Sequence, residues 1–474
     1  METTSPAIIA ERFEAQRRAF LNEPDPSYEA RLSRLDRLMA LTEANEKAIV
    51  AAIDADFSGR ASQETRLAEL FVVRAGIGHA RSHLKRWMRV RRVPTGLHFR
   101  PGHNRLMPQP LGVVGIVSPW NYPFQLAIAP ALAALAAGNR VMLKPSELTP
   151  AFSALLDRLV AKAFDPDEVC VVTGDAETGK AFTALPFDHM FFTGSTAVGR
   201  VVAQAAAANL TPVTLELGGK SPAIFDPSCD VDVAAGRLAF GKLLNAGQTC
   251  IAPDYLMVPK GQADAVADKL GRTIAKMYPS LVDNPDYTAI ISQRHRARLV
   301  EMVGEAREKG ARVIEVNPAG ERFESNETRK LAPTLVIDPS PDTRLMREEI
   351  FGPVLPILEY DGVGDAIARV RAGDRPLALY WFGQDAASRE RVLRETLSGG
   401  VTINDCLWHI GQEDQPFGGV GASGIGAYHG EWGFNTFSKL KPVFYQSKLN
   451  GTFLFRPPYG KTFERILGLL NRLA

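Results

Sequence analysis

Val113-Val-Gly-Ile-Val117, Pro119-Trp-Asn-Tyr-Pro123, the apolar run Phe124 to Ala137 and Arg140-Val-Met-Leu-Lys144 follow one another almost without interruption. A short β-branched run, a proline-bounded loop, an alanine-rich helix and a second short apolar run make a strand–helix–strand unit, which predicts a parallel sheet. The alanine tract within it falls well short of the roughly 20 residues that span a bilayer, so it reads as a buried helix.

The same alternation extends outward. Helix is predicted over Thr149 to Phe164 and strand at Val169-Cys-Val-Val172, with Phe191-Phe192 in a further strand. Pro212-Val-Thr-Leu-Glu-Leu217 and Ala223-Ile-Phe225 read as strands, Val231 to Leu244 as a helix, Tyr255-Leu-Met-Val258 as a strand and Ala263 to Met277 as a helix. Alternation to about Gly400 gives two α/β domains in series, with a boundary near Leu217-Gly-Gly-Lys220. Residues 7–93 read as helical, with a turn at Asp56-Phe-Ser-Gly59 and a long helix from about Gln63 to Met88; Pro108-Gln-Pro-Leu-Gly112 reads as a turn. The segment 401–445 is glycine-rich and reads as irregular structure returning across the first domain. The tail from Lys461 places Phe463, Ile466, Leu467, Leu470 and Leu473 on one helical face. Packing against the body or a neighbouring subunit accounts for that face better than a membrane surface, because basic residues are few.

The chain has 474 residues, of which 45% are hydrophobic, and 55 basic against 53 acidic residues leave a net charge of +2. This balance points to neither nucleic acid nor an acidic partner. The basic run Lys85 to Arg92 fits a helix C-terminus favoured by the helix dipole better than a nucleic-acid patch. Four scattered cysteines, Cys170, Cys229, Cys250 and Cys406, show no metal-ligand spacing and no disulfide framework, so no metal and a reduced, cytoplasmic setting are expected. Met1 to Pro6 lacks the basic and apolar regions of a leader.

Several stretches suit chemistry, and each has a plainer reading. Cys250, in Asn245-Ala-Gly-Gln-Thr-Cys250, is a nucleophile or an inert buried thiol. Glu216, among apolar neighbours before two glycines, is a general base with a raised pKa or a paired structural carboxylate. Asn121 is a side-chain donor for a developing oxyanion or a turn asparagine. Lys144 and Glu147, at the end of a strand, reach a ribose or belong to a helix N-terminus. Thr193-Gly-Ser-Thr-Ala-Val-Gly199 lets a phosphate approach a helix N-terminus or is a plain strand–turn–helix junction.

Taken in order, Pro119-Trp-Asn-Tyr-Pro123, Lys144-Pro-Ser-Glu147, Phe192-Thr-Gly-Ser195, Leu215-Glu-Leu-Gly-Gly-Lys220, Gly247-Gln-Thr-Cys250 and Glu348-Glu-Ile-Phe-Gly-Pro353 closely resemble the NAD(P)-dependent aldehyde dehydrogenase superfamily, from about residue 30 to residue 445. Asn245 to Tyr255, the compact N-terminus and Arg456-Pro-Pro-Tyr-Gly460 resemble its class 3 branch. Asn404-Asp405, His409, Gln412-Glu-Asp414 and Pro416-Phe-Gly-Gly-Val-Gly421 resemble bacterial coniferyl aldehyde dehydrogenases; Cys406 and Trp408 depart from that pattern.

The resemblance implies a Rossmann-type NAD-binding domain with N-terminal helices over 1–217, including an oligomerisation excursion at 94–112. It implies a catalytic domain over 218–400, a substrate-pocket and oligomerisation segment over 401–445, and a tail over 446–474. It implies oxidation of an aromatic or medium- to long-chain aldehyde to the acid. Cys250 is then the nucleophile that forms a thiohemiacetal and later a thioester, Asn121 the oxyanion donor with the Cys250 backbone N–H, and Glu216 the activator of water. Lys144, Glu147, Trp120, Gly194, Ser195, Glu349 and Phe351 hold the cofactor, with NAD favoured over NADP by the charge of Glu147. A homodimer is expected. The alternatives are a CoA-acylating relative and a catalytically silent structural relative; Glu216 argues against the first, and the intact Cys250, Glu216 and Asn121 against the second.

Overall fold

The computed structural model describes residues 3–323 and 328–473. Met1 and Glu2, at the head of the stretch read for a leader, and the Leu473 side chain of the tail's apolar face lie outside this description.

Two sheets carry the chain. The six-stranded sheet runs, in spatial order, Gly424–Ile425, Val213–Glu216, His189–Thr193, Val113–Val117, Arg140–Lys144 and Val169–Val171. All are parallel except the first, which runs antiparallel to Val213–Glu216. The helix Gln125–Ala136 is buried almost all round between this sheet and the helices Tyr28–Ala44 and Val72–Trp87. A helix apolar on every side is stable only when it is enclosed in this way.

The chain leaves this sheet at Glu216 and enters a second at Pro222. The second has seven strands in the order Arg312–Glu315, Thr334–Ile337, Val354–Tyr360, Tyr255–Pro259, Pro222–Phe225, Ala378–Phe382 and Gly400–Ile403. Only Arg312–Glu315 is antiparallel to its neighbour. Helices such as Ala263–Met277 cover it, with Val266, Ala267, Leu270 and Ile274 buried.

Two sequence expectations fail in the third, antiparallel sheet. The turn expected over 108–112 is confined to Leu111 and Gly112: His103–Pro110 is a strand, paired along its length with Ser438–Tyr445. Its other neighbour, Arg91–Val93, reaches only Asn104 to Leu106, so beyond Leu106 one side is open and a proline without an N–H is tolerated. Helix also does not persist to residue 93, because Arg91–Val93 is drawn into that pairing.

The long N-terminal helix is interrupted. Ser62–Thr65 is α-helical, Arg66–Phe71 takes a π-helical turn, and Val72–Trp87 resumes the α-helix. This widened turn accompanies two buried carboxylates, Glu64 and Glu69. The tail helix Lys461–Leu473 meets the turn Thr452–Phe455 through Phe463, whose ring lies 6.3 Å from Phe455 and 5.0 Å from Tyr459. Among the described residues no helix is long and apolar enough to cross a membrane.

Candidate active site

The loop between the helix Val231–Leu243 and the strand Tyr255–Pro259 is wound left-handed for three residues: Asn245 (φ 55°), Ala246 (φ 51°) and Gly247 (φ 75°). Such backbone is costly for Asn and Ala and persists only where its surroundings fix it. Here they do. The Asn245 side-chain amide donates to the carbonyls of Asn121 (3.0 Å) and Gln248 (3.1 Å), and its backbone N–H donates to Glu64 Oε1 (3.0 Å). Gln248 Nε2 donates to the carbonyls of Asn245 and Ala289, both at 3.0 Å, while its Oε1 accepts from the Ile291 N–H at 2.9 Å. A Cβ on Gly247 would lie 2.3 Å from the Gly352 carbonyl oxygen, so only glycine fits. The turn sets Cys250 half-buried at its end.

Asn121 comes to the same place from the first sheet. Its Nδ2 donates to the Gln248 carbonyl at 3.1 Å, and Tyr122 Oη lies 2.7 Å from Thr249 Oγ1. Behind this contact lies a layer that sequence reading missed. Arg60 Nη1 donates to the Asn121 carbonyl at 2.7 Å and faces Glu69 across a buried ion pair of 3.3 Å. Glu69 Oε2 accepts from the backbone N–H groups of Phe124 and Gln125. Glu64 accepts from Thr288 Oγ1 at 2.5 Å. Glu64 and Glu69 are carboxylates inside a helical stretch and Arg60 lies in the turn just before it, but which loop each serves depends on contacts far along the chain.

Glu216 ends the strand Val213–Glu216, and both its carboxylate oxygens are buried without a hydrogen-bond partner. It is not a paired structural carboxylate. Burial pushes its pKa well above the usual carboxylate range. Glu349 is pushed up to about 8, by burial and then by Asp254, against the Gly219 N–H, Lys220 and Arg298. The Cys250 thiol is pushed far up by burial and then by Glu349 and Glu216, against the backbone N–H groups of Cys250 and Ile251. Glu349 and Glu216 therefore each lie within electrostatic reach of Cys250, and the resting thiol keeps its proton at neutral pH.

The loop carrying Glu349 is anchored from two sides. Arg298 donates to the carbonyls of Glu349 (2.6 Å) and Ile350 (2.9 Å). Asp254, ion-paired with Lys220, accepts from the Ile350 N–H at 2.8 Å. Phe351, left-handed at φ 54°, packs edge-on against Trp120 with ring centres 5.5 Å apart.

Lys144 and Ser195 stand at the carboxyl ends of strands in the six-stranded sheet, where an open α/β sheet receives a dinucleotide. The buried Lys144 Nζ donates to its neighbour's Pro145 carbonyl at 3.0 Å and lies 3.7 Å from Glu147 Oε2; burial lowers its pKa and Glu147 raises it. Leu148 N–H donates to Ser146 Oγ and the helix begins only at Pro150, so Glu147 is not in a helix's first turn. Ser195 caps the helix Thr196–Ala208, its Oγ accepting from Val198 N–H at 3.4 Å, and Gly194 precedes it. A buried amine, a half-exposed carboxylate and a capped helix N-terminus fit a ribose and a pyrophosphate. Among the described residues no cluster of His, Cys, Asp and Glu is placed to hold a metal ion.

A cavity of about 330 Å³ opens beside Cys250, whose chain neighbours Thr249 and Ile251 line it. Its walls are mostly apolar, with Phe71, Leu132, Phe240, Leu244 and Trp408 among them; Glu413 is the only carboxylate among the described residues that line it. Of the two departures in the 404–409 stretch, Trp408 lines the cavity, while Cys406 is fully buried with its Cβ against Gly241.

Two α/β sheets with a half-buried cysteine, an amide, a buried carboxylate and a half-buried one at their junction define an oxidoreductase framework, and the chain matches the Aldehyde dehydrogenase family over residues 2–443 and belongs to that family. It oxidises an aldehyde to the carboxylic acid with NAD(P)+. It is 49% identical over 455 residues to a probable coniferyl aldehyde dehydrogenase from Pseudomonas aeruginosa, covering 96% of this chain and 94% of that one. It is 47% identical over 463 residues to the coniferyl aldehyde dehydrogenase of Pseudomonas sp. strain HR199, covering 98% and 96%. Among solved structures, the substrate-bound state of Staphylococcus aureus AldH matches with a TM-score of 0.92 at 37% identity, covering 98% of this chain and 99% of that one.

Proposed function

We propose that the chain oxidises aromatic aldehydes of the coniferyl type, with Cys250 as nucleophile, Glu216 as general base and Asn121 as oxyanion donor. The observation that carries this reading is the Asn121 Nδ2 contact to the Gln248 carbonyl, which brings the donor beside the cysteine turn, whose Thr249 and Ile251 line an apolar cavity. Attack by Cys250 on the aldehyde carbon gives a thiohemiacetal, whose oxygen takes hydrogen bonds from Asn121 and the Cys250 N–H. NAD(P)+, when bound, supplies the hydride acceptor. Glu216, with no hydrogen-bond partner of its own, takes the proton of the water that cleaves the resulting thioester.

Lys144, Glu147, Gly194 and Ser195 hold the adenosine and pyrophosphate side of the cofactor, and Trp120, Glu349 and Phe351 the nicotinamide side. Glu147 opposes a 2′-phosphate by charge, which favours NAD. Release by water rather than by CoA follows from the buried carboxylate of Glu216. The relatives named above support the aromatic substrate class. A homodimer is the assembly we infer: Ser438–Tyr445 is an edge strand with Phe444 and Tyr445 exposed. The test is a panel of coniferyl aldehyde, benzaldehyde, decanal and acetaldehyde, each with NAD+ and NADP+. A preference for coniferyl aldehyde with NAD+ is expected, and a strong preference for acetaldehyde would overturn the substrate class.

A further inference from the structure

Glu413 is out of keeping with the cavity it lines. Its two oxygens differ in what they meet. Oε2 accepts from the Gly430 N–H at 3.2 Å, at the start of the helix Gly430–Thr436. The other oxygen, Oε1, faces Gly76, where a Cβ would lie only 3.0 Å away. Gly76 itself lines the cavity, so the missing side chain leaves room at Oε1 on the cavity wall. Among the described residues no Lys or Arg lines the cavity to balance the carboxylate. The nearby Asp414 adds like charge, and burial with that charge raises the Glu413 pKa.

The imidazole of His429 also lines the cavity, and it does not neutralise the carboxylate. It is buried, its Nδ1 has no hydrogen-bond partner, and burial followed by the influence of His409 lowers its pKa to about 4. The cavity wall therefore carries the second oxygen of a half-buried carboxylate and, beside it, an imidazole whose Nδ1 has no hydrogen-bond partner. A ligand that closes this oxygen off from water must give it a donor, and a hydroxyl on the ligand supplies one.

We propose that Glu413 is a specificity-determining residue, its Oε1 accepting a hydrogen bond from the phenolic hydroxyl of the aldehyde, with His429 offering a second polar contact to the substituents of the same ring. The proposal rests on the cavity's being the aldehyde site and deepens that reading. It selects a phenolic aldehyde over an unsubstituted one, and it opposes an alkyl chain, which would cover the carboxylate without pairing it.

The experiment compares kcat/KM for coniferyl aldehyde, its 4-O-methyl ether and unsubstituted cinnamaldehyde in the wild type, Glu413→Gln and Glu413→Leu. Ratios between substrates in one preparation do not depend on the fraction of enzyme folded. The wild type is expected to favour the phenol over both comparators by roughly tenfold to a hundredfold, the range of a hydrogen bond to a charged acceptor. Glu413→Leu brings both ratios close to one, and Glu413→Gln, which keeps an oxygen for Gly430 and loses the charge, falls between. Equal kcat/KM for the three substrates in the wild type, or ratios unchanged in Glu413→Leu, would overturn the proposal while leaving the cavity's assignment intact. Failure of the wild type to oxidise any of the three would instead overturn the aromatic-aldehyde reading beneath it.

Discussion

Arg60 Nη1 donates to the backbone carbonyl of Asn121 at 2.7 Å, so a side chain from the turn between two N-terminal helices fixes the loop that carries the proposed oxyanion donor. The same guanidinium faces Glu69, and both side chains are fully buried. Removing one partner of a buried pair costs about 3–5 kcal/mol, because the other is left charged and alone. Arg60→Met is therefore expected to lower the thermal midpoint clearly. In the fraction that folds, kcat falls by about a hundredfold, the penalty of a misplaced catalytic group. Cofactor affinity, measured by fluorescence titration, stays near the wild-type value, because Arg60 engages Asn121 and Glu69 rather than Lys144 or Ser195. A wild-type kcat in folded Arg60→Met would remove Arg60 from any positioning role.

The electrostatics of Cys250 give a second expectation. Burial holds the thiol protonated, and Glu349 and then Glu216 add to that. Thiolate, not thiol, is alkylated, so iodoacetamide labelling of the cofactor-free protein is expected to be slow at pH 7 and to rise about tenfold per pH unit with no plateau by pH 9. Glu349→Gln removes a like charge only where Glu349 is ionised, so it speeds labelling above about pH 8 and changes it little at pH 7. Cys250→Ala supplies the blank. It also abolishes NADH formation while leaving cofactor binding intact. Slower labelling in Glu349→Gln would contradict the electrostatic assignment.

Glu216 has a kinetic signature. If it activates only the water that releases the acid, Glu216→Gln passes through thioester formation and stalls. Rapid mixing then shows a burst of NADH near one equivalent per active site, followed by turnover reduced by roughly a hundredfold to ten-thousandfold. Burst and steady state slowed together would place Glu216 before the redox step instead.

What could be read in the sequence, and what could not, follows from the range of the interactions. Val113–Val117 and Ala263–Met277 were legible to the residue, because apolar periodicity and flanking turn residues are local signals. The strand His103–Pro110 was not. Its two prolines read as a turn, and beyond Leu106 only a partner more than 300 positions away, in Ser438–Tyr445, keeps it a strand. The candidate site divides in the same way. Cys250, Glu216 and Asn121 stand in recognisable motifs, whereas Arg60, Glu64, Glu69 and the unpaired face of Glu413 acquire meaning only through atoms that folding brings to them.

Buried histidines make the fold less stable in acid. His189 lies in the strand His189–Thr193, with its Nε2 2.9 Å from Thr214 Oγ1. Burial lowers its pKa from 6.5 to about 4. The unfolded chain thus binds a proton near pH 6.5 that the folded chain refuses until about pH 4. The stability held above pH 6.5 is lost as pH falls through that window, at up to about 1.4 kcal/mol per pH unit. His409, also lowered to about 4 by burial, acts in the same direction. Equilibrium denaturation at pH 7, 6, 5 and 4.5 is expected to show His189→Gln less stable than the wild type at pH 7 but with a shallower acid slope. The slope difference approaches about 1.4 kcal/mol per unit near pH 5, since the carboxylates contribute equally to both proteins. Parallel slopes would mean that His189 is protonated in the fold, and that the Thr214 hydroxyl accepts from its imidazolium rather than serving a neutral ring.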